Sequence, residues 1–153
     1  MGILDGTEVV SIEGFESFKS LHTKLYIGKR APLYCTAVGK AILAFLPEAD
    51  REELIDTLDL VPQTSKTITD KAKLREELER IRSRGTAFDK GENEDGIACV
   101  GAPIFDSSGV VVASISISGP IFRMEEEVMK KYSDLLKKVV SRISSALGHG
   151  LQQ

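Results

Sequence analysis

The chain holds only two cysteines, Cys35 and Cys99. That excludes a disulfide framework and a four-cysteine zinc site. It holds only two histidines, His22 and His149, and no Cys/His pair has metal-ligand spacing. No apolar run approaches about 18 residues, so no helical membrane span is expected. Positive charge is not in excess: 20 Lys and Arg against 23 Asp and Glu leave a net charge of −3. An acidic domain is poorly suited to grip a phosphate backbone by itself. Internal repeats, low-complexity tracts and interdomain linkers are also missing.

What remains is an ordinary globular composition, 42% hydrophobic and 28% charged over 153 residues. A single domain of this length buries roughly 70% of its unfolded surface, enough to fold without a disulfide or metal. The opening Met1-Gly2-Ile3-Leu4-Asp5-Gly6 reads as strand and turn rather than as a secretory leader, so the cytoplasm is the expected compartment. A strand at the very start needs a partner, which leaves room for sequence upstream.

Asp5-Gly6 predicts a hairpin turn within residues 1–18. A further strand is expected from Leu21 to Tyr26, with a break at Pro32. Cys35 to Leu46 predicts a buried helix, small residues first, with Thr36 as its N-cap. Pro47 stops it and opens an amphipathic helix through Leu58. Asp70 caps a third helix that carries Leu74, Leu78 and Ile81 on one face and ends at Gly85. Thr86 to Phe88 reads as a short strand. Ile97 to Phe105 and Val110 to Ser118 read as two strands around the turn Asp106–Gly109, with Gly119-Pro120 breaking the sheet. A last helix is expected from about Met124 to Leu147, with Val128, Tyr132, Leu135, Val139 and Ile143 as its apolar stripe. Tight turns between sequential strands predict an antiparallel sheet, and helices on one face of it make an α+β, sensor-like architecture.

The last strand is the most informative stretch. Val110, Val112, Ser114, Ser116 and Ser118 alternate with Val111, Ala113, Ile115 and Ile117. The branched set belongs against helices. The serine set is either a half-solvated face or a binding surface. If the hairpin loop has an even length, Cys99 lies opposite Ser116 or Ser118, and three small polar groups share one face. A three-residue loop would separate them.

Other features carry less. Gly39-Lys40 is not a phosphate loop, because Tyr34 stands where its first glycine belongs and Ala41 where Ser or Thr belongs. The helix start from Thr36 to Gly39 offers free N–H groups to a carboxylate, or is simply packed tightly on the sheet. The acids from Asp89 to Asp95 lack calcium-loop spacing and read as a solvated loop, although Asp89 follows Phe88 and has a reason to point inward. Neither histidine is placed to activate a cysteine, so both thiols read as buried and inert.

Three ordered motifs then resemble a known family. Leu33-Tyr34-Cys35-Thr36-Ala37-Val38-Gly39-Lys40-Ala41-Ile42-Leu43-Ala44 is similar to the "PLHATALGKALLA" signature of IclR-type transcriptional regulators. Arg84-Gly85-Thr86-Ala87-Phe88-Asp89, followed by Glu92-Asn93-Glu94 and Gly96 to Asp106, resembles their "RGYAxDxEENExGxxCVAAPVFD". Ser114 to Pro120 resembles "LSVSGP". The segment from Ile27 to Tyr34 resembles the sugar-acid-responsive branch.

The resemblance implies a GAF-like fold, an antiparallel sheet with helices on one face and a ligand pocket on the other. It implies that residues 1–153 are one effector-binding domain, and that the winged helix-turn-helix that binds operator DNA in this family is absent from this chain. It places candidate ligand-binding residues at Ala37, Val38, Asp89, Cys99, Ser116 and Ser118, and Thr23 is counted with them. The expected ligand is a small organic or sugar-derived acid. Its carboxylate would meet the Ala37–Val38 amides and the serine hydroxyls, and Asp89 would accept from its hydroxyls. No metal, cofactor or covalent chemistry is implied. Self-association as a dimer or tetramer is, with the exposed faces of the first and last helices as candidate surfaces. Two departures stand out: Ala98 replaces the usual Arg before the cysteine, and Ala37-Val38 replaces the Gly-Ala of many acid-binding members. The competing readings are an enzyme with Cys99 as nucleophile and an oligomerisation module without a ligand.

Overall fold

In the computed structural model, described for residues 1–18 and 26–150, six antiparallel strands form one curled sheet. The strands are β1 (Gly2–Asp5), β2 (Glu8–Ser11), β3 (Arg30–Pro32), β4 (Ala87–Asp89), β5 (Ile97–Phe105) and β6 (Val111–Pro120), and their order is β3-β2-β1-β6-β5-β4. The helices are α1 (Ala37–Phe45), α2 (Glu48–Thr57), α3 (Lys71–Arg84) and α4 (Glu126–Ala146). The strand expected over 21–26 lies outside the described residues except for Tyr26, and Pro32, expected as a break, instead ends β3 opposite Glu8, at the sheet edge where a proline need not donate.

Local chemistry accounts for the helix ends. Asp70 accepts the Lys73 N–H at 2.8 Å, an N-cap worth about 1 kcal/mol. Gly85 ends α3 at a φ of +79°, a left-handed conformation that glycine adopts without strain. Leu74, Leu78 and Ile81 are fully buried, each worth roughly 1.5–3 kcal/mol of hydrophobic transfer.

The helices divide between the two faces of the sheet. α4 covers one face, against Ala98, Val100, Ala102, Ile104, Ala113, Ile115 and Ile117. α1 to α3 pack with Val9, Ala87 and Val111 in a second apolar cluster. α1 therefore lies on the face that carries Ser114 and Ser116, rather than all the helices sharing one side. Val111 leaves the branched set because the register shifts between Ile104 and Phe105.

Two further expectations are corrected. Gly119 and Pro120 continue β6, with Pro120 opposite Ile97, because the strand lies at its end and Pro120 need not donate there. The buried stripe of α4 is Met129, Ser133, Leu136, Val140 and Ser144, while Leu135 is exposed. Ser133 shares a 2.7 Å hydrogen bond with Thr86, and Ser144 accepts the Phe105 N–H at 3.0 Å. Both serines are buried because tertiary partners satisfy their hydroxyls.

Candidate functional site

The register of three adjacent strands builds the floor. Cys99 is paired with Asp89 on one side and Ser118 on the other. One row across the sheet thus presents a carboxylate, a thiol and a hydroxyl. Two residues along, about 7 Å away at the usual strand rise, the next row is Ala87, Gly101 and Ser116.

The first turn of α1 sits over that second row. A Cβ built on Gly101 would come within 2.4 Å of the Ala37 carbonyl oxygen and 3.2 Å of the Val38 nitrogen. Only glycine permits this approach. Ser114 Oγ donates to the Val38 carbonyl at 2.8 Å and pins the helix start to β6. Thr36 Oγ1 accepts the Gly39 N–H at 3.0 Å, and the Lys40 N–H reaches the Thr36 carbonyl. The helix provides no acceptor for the Ala37 and Val38 amides.

Between these elements lies a cleft of about 870 Å³, within the size range of small-molecule sites. Ala37, Val38, Asp89, Cys99, Ser116 and Ser118 all line it. Thr23 lies outside the described residues. A second, shallower cleft of about 450 Å³ at the far end of α1 involves none of these residues.

Residues 1–145 match the family described as "Bacterial transcriptional regulator IclR C-terminal". The chain belongs to the IclR C-terminal family. It is 34% identical over 149 residues to the HTH-type transcriptional regulator KdgR of Escherichia coli K12, covering 97% of this chain and 57% of that protein. It is 34% identical over 148 residues to the E. coli K12 repressor AllR, covering 97% and 55%. The crystal structure of Thermotoga maritima IclR superposes with a TM-score of 0.93 at 45% identity, covering 97% of this chain and 60% of that one. The C-terminal domain of E. coli KdgR superposes at 0.84 with 33% identity, covering 97% and 85%. The chain spans 49% to 59% of the length of the curated relatives it matches. These relatives are transcriptional regulators, not enzymes, and the GAF-like α+β fold is that of their C-terminal domains.

The interior of this IclR domain corrects the reading of the acidic loop as solvated for Asp89 and Glu92, while Glu94 and Asp95 stay exposed as expected. Asp89 is buried, and its Oδ1 accepts the Glu92 N–H at 2.7 Å. Burial raises its pKa above the usual carboxylate range, against the pull of these amide bonds and of Lys40. Lys40 is fully buried, and its Nζ lies 2.6 Å from Glu92 Oε1. Burial pushes Glu92 up to about 7, against the attraction of Lys40. Sequence pattern could not reveal this pair, because a charge enters a core only where tertiary structure supplies its partner.

The thiols of the IclR domain are held in the protonated form by the same physics. Burial pushes both Cys35 and Cys99 up to about 12, and nearby Asp89 adds to the rise. His149 stacks on Phe105 with ring centroids 5.2 Å apart, engaged away from either cysteine. Among the described residues no cluster of three His, Cys, Asp or Glu side chains is placed to hold a metal, and no helix is long and apolar enough to cross a membrane.

Ser11, Asn93, Glu94, Arg123 and Tyr132 also line the cleft and were not singled out from sequence. Tyr132 reads as core by periodicity, and Ser11 reaches the cleft only because β1 pairs with β6 at Gly2 and Ser114. Asn93 and Glu94 belong to the acidic run, whose inward turn follows from Asp89.

Proposed function

We propose that this IclR domain senses a small hydroxylated organic acid and controls operator binding by a winged helix-turn-helix joined to it in the full protein. The observation that carries the reading is the facing of unlike groups across one cleft. The first-turn amides of α1 and Ser116 form a donor-rich end suited to a carboxylate. Asp89, Cys99 and Ser118 form a second polar row about 7 Å away, suited to hydroxyls. The likeness to regulators and repressors supports a switching role, in which ligand shifts a conformational or oligomeric equilibrium by its differential affinity for the two states.

Self-association belongs to the same proposal. α1 is buried except at half-buried Val38 and Phe45 and has no exposed face to offer. Phe15, Phe18, Tyr26, Ile27 and Phe122 are strongly exposed, and such apolar surface marks interaction sites. Monomeric sedimentation at micromolar concentration would remove this part of the proposal.

A thermal-shift screen of 2-oxo and hydroxy acids tests the sensing role. An acid present at about 100 times its dissociation constant adds about 2.7 kcal/mol of stability. Absence of a shift with every acid overturns the reading.

A further inference from the structure

We propose that Lys40 and Glu92 are positioning residues of the cleft: their buried ion pair ties the first turn of α1 to the β4–β5 loop and holds the two ends of the cleft in register. The proposal rests on the sensing role for its purpose, while its test needs no ligand.

Stability alone gives no reason for this pair. A buried ion pair is often replaced by well-packed apolar residues at no cost, whereas breaking one partner strands a charge and is strongly destabilising. Its placement gives another reason. Lys40 follows Ala37 and Val38 within the same helical turn. Glu92 stands between Asp89 and Asn93, which both line the cleft. The other anchors of the loop lead elsewhere. Thr64 Oγ1 donates to the Gly91 carbonyl and Thr67 Oγ1 to the Glu92 carbonyl, each at 2.6 Å, tying the loop to the segment before α3. Asp89 bonds within the loop itself. Cys35 Sγ reaches Asn93 Oδ1 only as a weak 3.6 Å contact. The 2.6 Å contact from Lys40 to Glu92 is the charged tie to α1.

Glu92 is held by one oxygen, because its buried Oε2 has no hydrogen-bond partner. It faces Lys40 from α1, Asp89 from β4 and Glu77 from α3. Glu77 is itself paired with Arg80 and Arg84, at 3.1 and 3.6 Å, so burial is the chief push of Glu92 toward about 7, with Asp89 and Glu77 adding to it. The closed loop therefore holds a proton that the opened loop releases, and opening becomes easier as pH rises toward neutrality.

Hydrogen exchange by mass spectrometry on the whole chain tests this, with Glu92→Gln, Lys40→Met and the double variant. In each single variant, amides of residues 90–96 and of the first turn of α1 exchange about tenfold faster, with α4 unchanged, as a local opening requires. The double variant leaves neither member of the pair charged and unpaired, so its thermal midpoint recovers above that of Lys40→Met while the same amides stay fast. Wild-type loop exchange, corrected for intrinsic rates, rises as pH climbs from about 5 to 7, and Glu92→Gln abolishes that dependence. Acceleration that includes α4, slow exchange restored in the double variant, or a flat wild-type pH profile overturns the proposal. Coupling observed while no acid binds would sink the sensing role and leave the tie standing.

Discussion

Gly101 of β5 lies so close beneath Ala37 of α1 that a Cβ on it would meet the Ala37 carbonyl oxygen at 2.4 Å. The contact is backbone on both sides, so no side-chain rotation relieves it. Gly101→Ala should cost about 1–3 kcal/mol through overpacking, read as a lower urea midpoint. It should also lift the first turn of α1 from Ser116 and abolish the response to an acid that stabilises the wild type. An unchanged midpoint would mean that α1 can shift without cost.

Asp89 has a loop to hold as well as a cleft to face. Removing it leaves the Glu92 amide without its acceptor, so Asp89→Ala should lose about 1–3 kcal/mol of stability, the penalty for a buried unsatisfied group. If it also meets ligand hydroxyls, affinity for a hydroxy acid should fall by roughly 1.5–3 kcal/mol, as for a hydrogen bond to a charged group. Ser116→Ala should weaken affinity less and leave stability near wild type. Calorimetric titration beside urea unfolding separates these effects, and wild-type affinity in both variants would remove the proposed pocket.

Acid and base should act on stability in a definite order. Glu92 rises from an ordinary value of 4.5 to about 7 on folding. Between those values the folded chain binds more protons than the unfolded one, so stability should fall as pH rises from 4.5 to 7 and level off above. Asp89 is raised too and acts in the same direction. Glu52 and Asp106 are lowered by their hydrogen bonds, so their contribution is lost only at lower pH. Urea unfolding should show greater stability near pH 5 than near pH 8, with Glu92→Gln flattening most of the slope. Stability that climbs through this window would contradict the assignment.

Cys99 should alkylate slowly although it lines the cleft. A thiol pushed up to about 12 is almost wholly protonated at pH 7.4, and the thiolate is the reactive form. Labelling by iodoacetamide should be orders of magnitude slower than for free cysteine. It should accelerate on unfolding in urea. Rapid labelling of the folded chain would revive the nucleophile reading.

Much of the framework follows from local rules that need no tertiary information. Asp70 and Gly85 bracket α3 because an N-cap acceptor and a left-handed glycine act within one turn. Asp5-Gly6 turns the first hairpin for the same reason. The polar set on β6 is legible because side chains alternate along any strand. The pairing of Cys99 with Ser118 is reached by a different route from the expected one. Five residues separate the paired Phe105 and Val111, an odd number, and the register shift beside Ile104 restores the parity. The bulge compensates the loop, so the expected partners meet.

The stripe of α4, the turn of the acidic loop and the depth of Lys40 were settled only when the elements came together. Each depends on a polar group whose burial is tolerable because a distant residue satisfies it: Ser133 with Thr86, Ser144 with Phe105, Lys40 with Glu92. Sequence alone determined the first hairpin, the four helices and the long strands β5 and β6, which residues alternate toward the cleft and which family the chain resembles, since these rest on short-range backbone preferences and on periodicity; β3, paired with β2 through Pro32, was not among them. Tertiary structure decided which polar and charged side chains enter the core, because the cost of desolvating them is met by partners up to 76 residues away, and no local pattern encodes that distance.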